Sequence, residues 1–200
     1  MAAMGTRPPC VRSPYIPLFL LGLVAAAAAA QPFPLQASQP PPPPAAGVPG
    51  VYNFTRVDST IACGGALTLE AFEALRQPGY KSVVNLRDAS EPGNDVEAAK
   101  KAAEAAGLKY SHLPFVPESP GTTTLDEFLK VVVKPENQPM LLHCTIGGRA
   151  SMFWAVKRVM IDGWPLEKAM GELPDLSRYL SQRLRTFMLD SLKAHGKGRP

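Results

Sequence analysis

Three cysteines in 200 residues are too few to staple a disulfide-dense miniature scaffold. Three histidines, His112, His143 and His195, show no metal-ligand spacing, so a zinc site is not expected. Acidic residues are missing from the first 50 positions, which carry only Arg7 and Arg12 as charges. Residues 51–200 are close to neutral at +2, against +4 for the whole chain. That balance gives no support to nucleic-acid binding. No internal repeat is visible, and no apolar run beyond residue 30 is long enough to cross a bilayer. The 150 residues after the first 50 suit one ordinary domain and exclude a two-domain enzyme.

The first 30 residues read as an address. Arg7 and Arg12 precede a 15-residue apolar run at 16–30, IPLFLLGLVAAAAAA, which ends in small residues before Gln31. A basic start, a short apolar middle and an Ala-x-Ala finish describe a secretory signal peptide cleaved near Ala30. An uncleaved anchor is the other reading, but a span needs about 20 apolar residues. The expected location is therefore secreted or periplasmic, with only transient membrane contact through the signal peptide. Residues 31–50 contain Pro32, Pro34, the run 40–44 and Pro49. Consecutive prolines fix φ and donate no hydrogen bond, so a disordered, Pro-rich spacer is expected.

From residue 51 the pattern alternates. A strand is expected over 51–60, broken by Cys63-Gly64-Gly65. Leu69, Phe72 and Leu75 recur at helical spacing until Pro78-Gly79. Strands follow at 81–86, 108–115 and 140–143, and helices at 92–106, around 125–132, at 149–160 and over 176–188. Residues 193–200 are expected to be a frayed basic tail. This predicts an α/β fold: a single three-layer domain over 51–192, with a mostly parallel central sheet flanked by helices, preceded by the signal peptide and linker. Ligands of such sheets sit beyond the carboxyl ends of the strands.

The chemistry concentrates after the apolar strand MLLH, in His143-Cys144-Thr145-Ile146-Gly147-Gly148-Arg149-Ala150-Ser151. Amides of residues 145–149 are placed to curl into an anion cradle, with Gly147 and Gly148 permitting the φ values required. The helix that follows adds partial positive charge. Arg149 offers a planar fork to an oxyanion. The same field favours a thiolate at Cys144, the form in which sulfur is a nucleophile. A lone Cys would read as a buried small hydrophobe; the joint pattern does not.

This segment resembles the cysteine phosphatase superfamily, most closely the beta-lactamase-hydrolase-like phosphatase family of bacteria. The resemblance spans about residues 51–172. It rests on Gly64-Gly65, the stretch GYKSVVNLR at 79–87 with Glu91 following, GLKY at 107–110 leading to Leu113-Pro114-Phe115, and Leu142-His143-Cys144 with Gly147 and Arg149. It implies a cysteine-based hydrolase of phosphoric monoesters. Cys144 would be the nucleophile, Arg149 and residues 145–148 would bind phosphate, and no cofactor would be needed. The partner would be a phosphorylated small molecule or a phosphoprotein. There are departures. The usual loop has five residues between Cys and Arg, whereas this one has four, a length also typical of rhodanese-like sulfurtransferases that carry a persulfide. Ala150 replaces the hydroxyl that normally follows the Arg, and Ser151 comes one later. A sulfurtransferase and a catalytically inactive phosphate-binding module therefore stay open beside the phosphatase.

Supporting roles are assigned next. Phosphatase chemistry needs a general acid, and Glu118 is the carboxylate in the loop where relatives carry an Asp. Asp126 is read as lying in the first turn of the next helix. Arg87 ends a strand on the same rim as Cys144 and either extends the anion site or pairs with Glu91 or Asp88. His143 is expected to hydrogen-bond the loop, His112 to be a satisfied core or rim histidine. Cys63 reads as an inert buried thiol, with a redox partner or a disulfide to Cys144 as the other readings. The residues leave substrate identity and oligomeric state open.

Overall fold

The structure is a computed structural model that describes residues 47–196, so the signal peptide and nearly all of the Pro-rich linker expected from the sequence lie outside the described residues. In chain order the elements are β1 (Thr55–Arg56), β2 (Ile61–Gly64), α1 (Ala71–Arg76), β3 (Ser82–Asn85), α2 (Val96–Ala105), β4 (Lys109–His112), α3 (Thr123–Val132), β5 (Met140–His143), α4 (Gly148–Met160), α5 (Leu166–Gly171), α6 (Pro174–Ser177) and α7 (Gln182–Ala194). The sheet order is β1-β2-β5-β3-β4. β1 pairs antiparallel with β2; the other three pairings are parallel.

Strand periodicity sorts side chains into two layers. Val83 and Leu141 face Phe72, Leu75, Ala103 and Leu108 under α1 and α2. Their chain neighbours Val84 and Leu142 face Phe115, Phe128, Phe153 and Trp154 under α3, α4 and α7. β5 lies between β2 and β3 with both faces covered, which is why MLLH is wholly apolar. α4 is buried from Gly148 to Val156 because α5, α6 and α7 pack around it. Its far end is tied down by Arg158, stacked 4.4 Å from the rings of both Trp154 and Trp164. The same guanidinium bonds Glu172 at 2.6 Å and Asp58, in the β1–β2 turn, at 2.8 Å. The far end of α4 is thereby held against the β1–β2 turn.

Two element expectations are corrected. The strand predicted over 51–60 is only the two-residue β1, and the long strand is β2, which contains Cys63 and Gly64. Asp58 causes the break. Its carboxylate accepts from the N–H of Thr60 and Ile61 and from the Thr60 hydroxyl, turning the chain back. The helix predicted over 176–188 is divided into α6 and α7, and α5 precedes them. Pro174 opens α6, and Ser181 caps α7 by accepting from Leu184 N–H. α7 continues through Ala194 and so takes in the first two residues of the expected basic tail.

Candidate active site

β5 ends at His143, and the next residue, Cys144, is 1% exposed on the floor of a cavity of about 480 Å³. The loop that follows turns its carbonyls away from the sulfur. Thr145 C=O accepts from Ala66 N–H at 2.9 Å, and Ile146 C=O accepts from Asn53 Nδ2 at 3.0 Å. Gly147 C=O accepts from Ser151 N–H, and Gly148 C=O from the Ser151 hydroxyl. Gly147 N–H donates to Cys144 Sγ at 3.2 Å. The amides of residues 145, 146, 148 and 149 have no backbone acceptor among the described residues. A curl of successive N–H groups at the N-terminus of a 13-residue helix is a geometry able to take an anion.

Two glycines make the curl possible. Gly147 has φ +103°, and a Cβ there would lie 2.6 Å from the Leu176 side chain. Gly65 lets the neighbouring loop approach so closely that a Cβ would sit 2.8 Å from Thr145 C=O.

Arg149 stands in the first turn of α4. Its fork does not stand open over the cradle: Nη1 and Nη2 bond the two carboxylate oxygens of Glu91 at 2.6 and 2.8 Å. Nη1 also donates to the carbonyls of Leu86 and Phe115, and Nη2 to the Thr145 hydroxyl. Thr145 in turn donates to Glu91. Burial works to raise the Glu91 carboxyl. It is outweighed by hydrogen bonds from Arg149, Thr145 and Asp88 N–H and by the Arg149 charge, which hold it at about 2. Burial likewise works against the Arg149 cation, but Glu91 keeps that group above the usual guanidinium range.

Other candidates separate. Glu118 lines the same cavity as Cys144 but stands exposed at its mouth, 4.0 Å from Arg183. Arg87 does not extend the anion site. It bonds the carbonyls of Pro92 and Gly93 and reaches Glu91 at 3.4 Å, bracing the loop that carries Glu91. Ser151 is turned away from the cradle by its bond to Gly148 C=O. Asp126 lies in the first turn of α3, and His112 is satisfied by Arg87 C=O at 2.8 Å. Cys63 and Cys144 are both free thiols, and burial, with Cys144 nearby, pushes Cys63 well above the ordinary thiol range. Glu91, Asp88, Val116, Tyr179 and Leu184 also line the cavity and were missed as site residues.

The hydrogen bond expected from His143 to the loop is not made: neither ring nitrogen has a partner of acceptable geometry. Burial, with the Arg87 and Arg149 charges nearby, holds the imidazole at about 3 despite backbone at Cys144 and Gly65 that favours its cation. It is neutral in the fold at neutral pH, whereas an unfolded histidine gains a proton below about 6.5. The unfolded state then binds more protons, so stability falls as pH drops from about 6.5 towards 3, by up to about 1.4 kcal/mol per unit. Glu91 acts in the same direction lower down. Its contribution is present above about 4.5 and lost as pH falls towards 2, on the order of 2 kcal/mol after solvent screening. Urea unfolding midpoints are expected to decline from pH 7 to 5 in the native protein. In His143→Gln that part of the slope should flatten, and an equal slope in both would remove the histidine from the account.

An α/β domain with a cysteine at a strand end, a curl of free amides and an arginine on the following helix defines the cysteine-phosphatase class of fold. Comparison with known proteins agrees. Residues 53–180 match the family described as DSP-PTPase phosphatase fused to NAD+ kinase, and the chain belongs to that family. The beta-lactamase hydrolase-like protein of Xylella fastidiosa (strain Temecula1) is 33% identical over 111 residues, 54% of this chain and 25% of that protein. The chain thus aligns with only about a quarter of the length of that relative. Among solved structures, a DUF442 protein from Shewanella putrefaciens superposes with a TM-score of 0.63 at 17% identity, covering 73% of this chain and 95% of the other. The catalytic core of the PP-IP phosphatase SIW14 from S. cerevisiae gives 0.59 at 21%, covering 71% and 86%. At these identities the superpositions speak for the fold, which is the one the sequence resemblance implied.

Proposed function

We propose that the protein is an exported, secreted or periplasmic, cysteine-dependent hydrolase of phosphate monoesters. The observation that carries this reading is the loop from Cys144 to Arg149, whose carbonyls are bonded outward while Gly147 N–H meets the sulfur. The Cys144 thiolate attacks phosphorus, and an S–P bond forms as the ester P–O bond breaks. The leaving oxygen takes its proton from Glu118, the carboxylic side chain at the cavity mouth. The loop amides and Arg149 hold the remaining phosphate oxygens. Water then attacks phosphorus, Glu118 takes back the proton, and the S–P bond breaks to return thiolate and inorganic phosphate. The substrate is a phosphorylated small molecule or phosphoprotein, in keeping with a fold neighbour named as a phosphatase.

Incubation with p-nitrophenyl phosphate, quenched in acid and digested, tests this directly. Steady release of nitrophenol is expected, with a transient phosphate adduct on the peptide containing Cys144. Turnover with the adduct on another residue would refute the assignment.

A second reading, sulfur transfer through a Cys144 persulfide, is favoured by two observations. The loop has four residues between Cys144 and Arg149, one amide fewer than the usual phosphatase cradle. The Arg149 fork is also already engaged by Glu91. Cyanide-dependent thiocyanate formation from thiosulfate separates the two; none above background discards the second.

A further inference from the structure

Resting on the hydrolase reading, we infer that Asn53, which does not line the cavity, is a positioning residue for the reaction: its side chain pins the peptide between Ile146 and Gly147 so that the N–H of that peptide stays on the sulfur of Cys144. One peptide unit carries both contacts. Ile146 C=O accepts from Asn53 Nδ2 at 3.0 Å, and Gly147 N–H donates to Cys144 Sγ at 3.2 Å. The bond is trans, and in a trans peptide the C=O and the N–H point in opposite directions. Holding the oxygen on one side therefore fixes the hydrogen on the other.

This unit is held differently from its neighbours. Thr145 C=O is fixed by main chain, the N–H of Ala66 at 2.9 Å. Gly147 C=O and Gly148 C=O are fixed by Ser151, in the first turn of α4. Ile146 C=O has no main-chain donor among the described residues, and its partner is a side chain 93 positions earlier. The backbone here is also free to turn over. Rotating the 146–147 peptide changes φ of Gly147, now +103°, and glycine accepts either sign of φ. A turned peptide would set a carbonyl dipole against the thiolate and the phosphate oxygens in place of a donor, the opposite of what stabilising their charge requires.

The backbone of Asn53 points the same way. Its φ of +49° is the only positive value at a non-glycine residue among the described residues. Main chain on one side forces the corner. Tyr52 N–H donates to Ala66 C=O at 3.0 Å, and Tyr52 C=O accepts from Gly65 N–H at 2.7 Å, so the chain must turn at once to enter β1 at Thr55. Asparagine enters the left-handed region at less cost than most residues, but glycine would do so at none. A side chain kept at such a position has a use beyond the turn. The bond to Ile146 C=O is the one side-chain hydrogen bond Asn53 makes among the described residues.

The test labels the full chain with carbonyl-13C isoleucine and 15N glycine. Ile146-Gly147 is the only Ile-Gly pair in the sequence, so a carbonyl-filtered amide NMR spectrum shows one peak, from this peptide. Asn53→Gly keeps the turn and removes the donor. Asn53→Asp keeps the shape but turns acceptor oxygens on the Ile146 oxygen. Saturating inorganic phosphate is expected to move the peak in the native chain, and to move it by about a third as much or less in both variants. For p-nitrophenyl phosphate, kcat/KM should fall about tenfold in Asn53→Gly, where turning over is allowed, and about a hundredfold in Asn53→Asp, where it is favoured. The urea midpoint of Asn53→Gly should stay close to native, since glycine relieves the strain. A merely structural role would lower midpoint and rate together and leave the phosphate response of the peak intact. That result, or native turnover in both variants, would overturn the inference and leave the hydrolase reading standing. If Asn53→Asp unfolds, Asn53→Gly decides alone. No turnover by the native chain would overturn the hydrolase reading, and with it any part for Asn53 in catalysis.

Discussion

Replacing Cys144 by serine is expected to drop aryl phosphate turnover by at least about a thousandfold while phosphate or vanadate still binds within a few-fold of the native affinity. The reasoning separates the nucleophile from the cradle. The proposed cradle is main chain: carbonyls of residues 145–148 bonded elsewhere, amides of residues 145, 146, 148 and 149 with no backbone acceptor among the described residues, and the start of α4. None of these depends on the sulfur. The substitution changes one atom in a buried position, and Gly147 N–H, now 3.2 Å from Sγ, has an oxygen acceptor to meet instead. Loss of chemistry follows because a serine hydroxyl is a weak nucleophile at neutral pH unless a base activates it. The described residues put no free histidine to that use: both His143 nitrogens are buried beneath the loop, and His112 is bound to Arg87 C=O. Hydrolysis assays and phosphate titration on the same preparation make the measurement. Native turnover in Cys144→Ser would exclude the mechanism, whatever the binding showed. Lost turnover together with lost binding would indicate a collapsed loop, which Cys144→Ala would then report through the same titration.

What the sequence discloses about this site follows from distance along the chain. The MLLH strand, the cysteine, the glycines and the arginine lie within ten residues, and each has a local signature. A strand covered on both faces reads as an apolar run, and a curl of amides needs residues without Cβ. The sequence shows a guanidinium but not its direction, because direction depends on a partner 58 residues away. Glu91 reaches Arg149 only because β3 pairs beside β5, and the β3–α2 loop then overhangs the start of α4. By sequence spacing alone Glu91 belonged to Arg87, four residues before it, and that pair does form at 3.4 Å. Likewise the i, i+4 pattern through Leu176, Leu180 and Leu184 runs across the junction of α6 and α7, since one buried face serves both helices. The breaks come from Pro174 and Ser181, whose capping roles outweigh the periodicity. Asp58 acts similarly at the front of the sheet, where a β-rich composition hides a side-chain-driven turn.

Arg149→Ala is expected to cost about 3 kcal/mol of stability and to abolish detectable phosphate binding. The guanidinium is 8% exposed and meets four acceptors: Glu91, Leu86 C=O, Phe115 C=O and the Thr145 hydroxyl. Its removal strands a carboxylate that burial would otherwise push up and that Arg149 keeps ionised. The compensating change is Glu91→Ala, so the double variant Arg149→Ala with Glu91→Ala should be more stable than the sum of the two single losses by about 1–3 kcal/mol. Urea unfolding of all four proteins measures that coupling. Glu91→Gln probes the same pair from the other side. It keeps the shape, removes the competing charge, and leaves the Arg149 fork to an incoming oxyanion, so phosphate affinity should rise several-fold as stability falls. An unchanged affinity in Glu91→Gln would mean that Arg149 is a strut holding the Leu86 and Phe115 carbonyls and not a ligand for phosphate. Native phosphate binding in Arg149→Ala would say the same more strongly, leaving the loop amides alone to hold the anion.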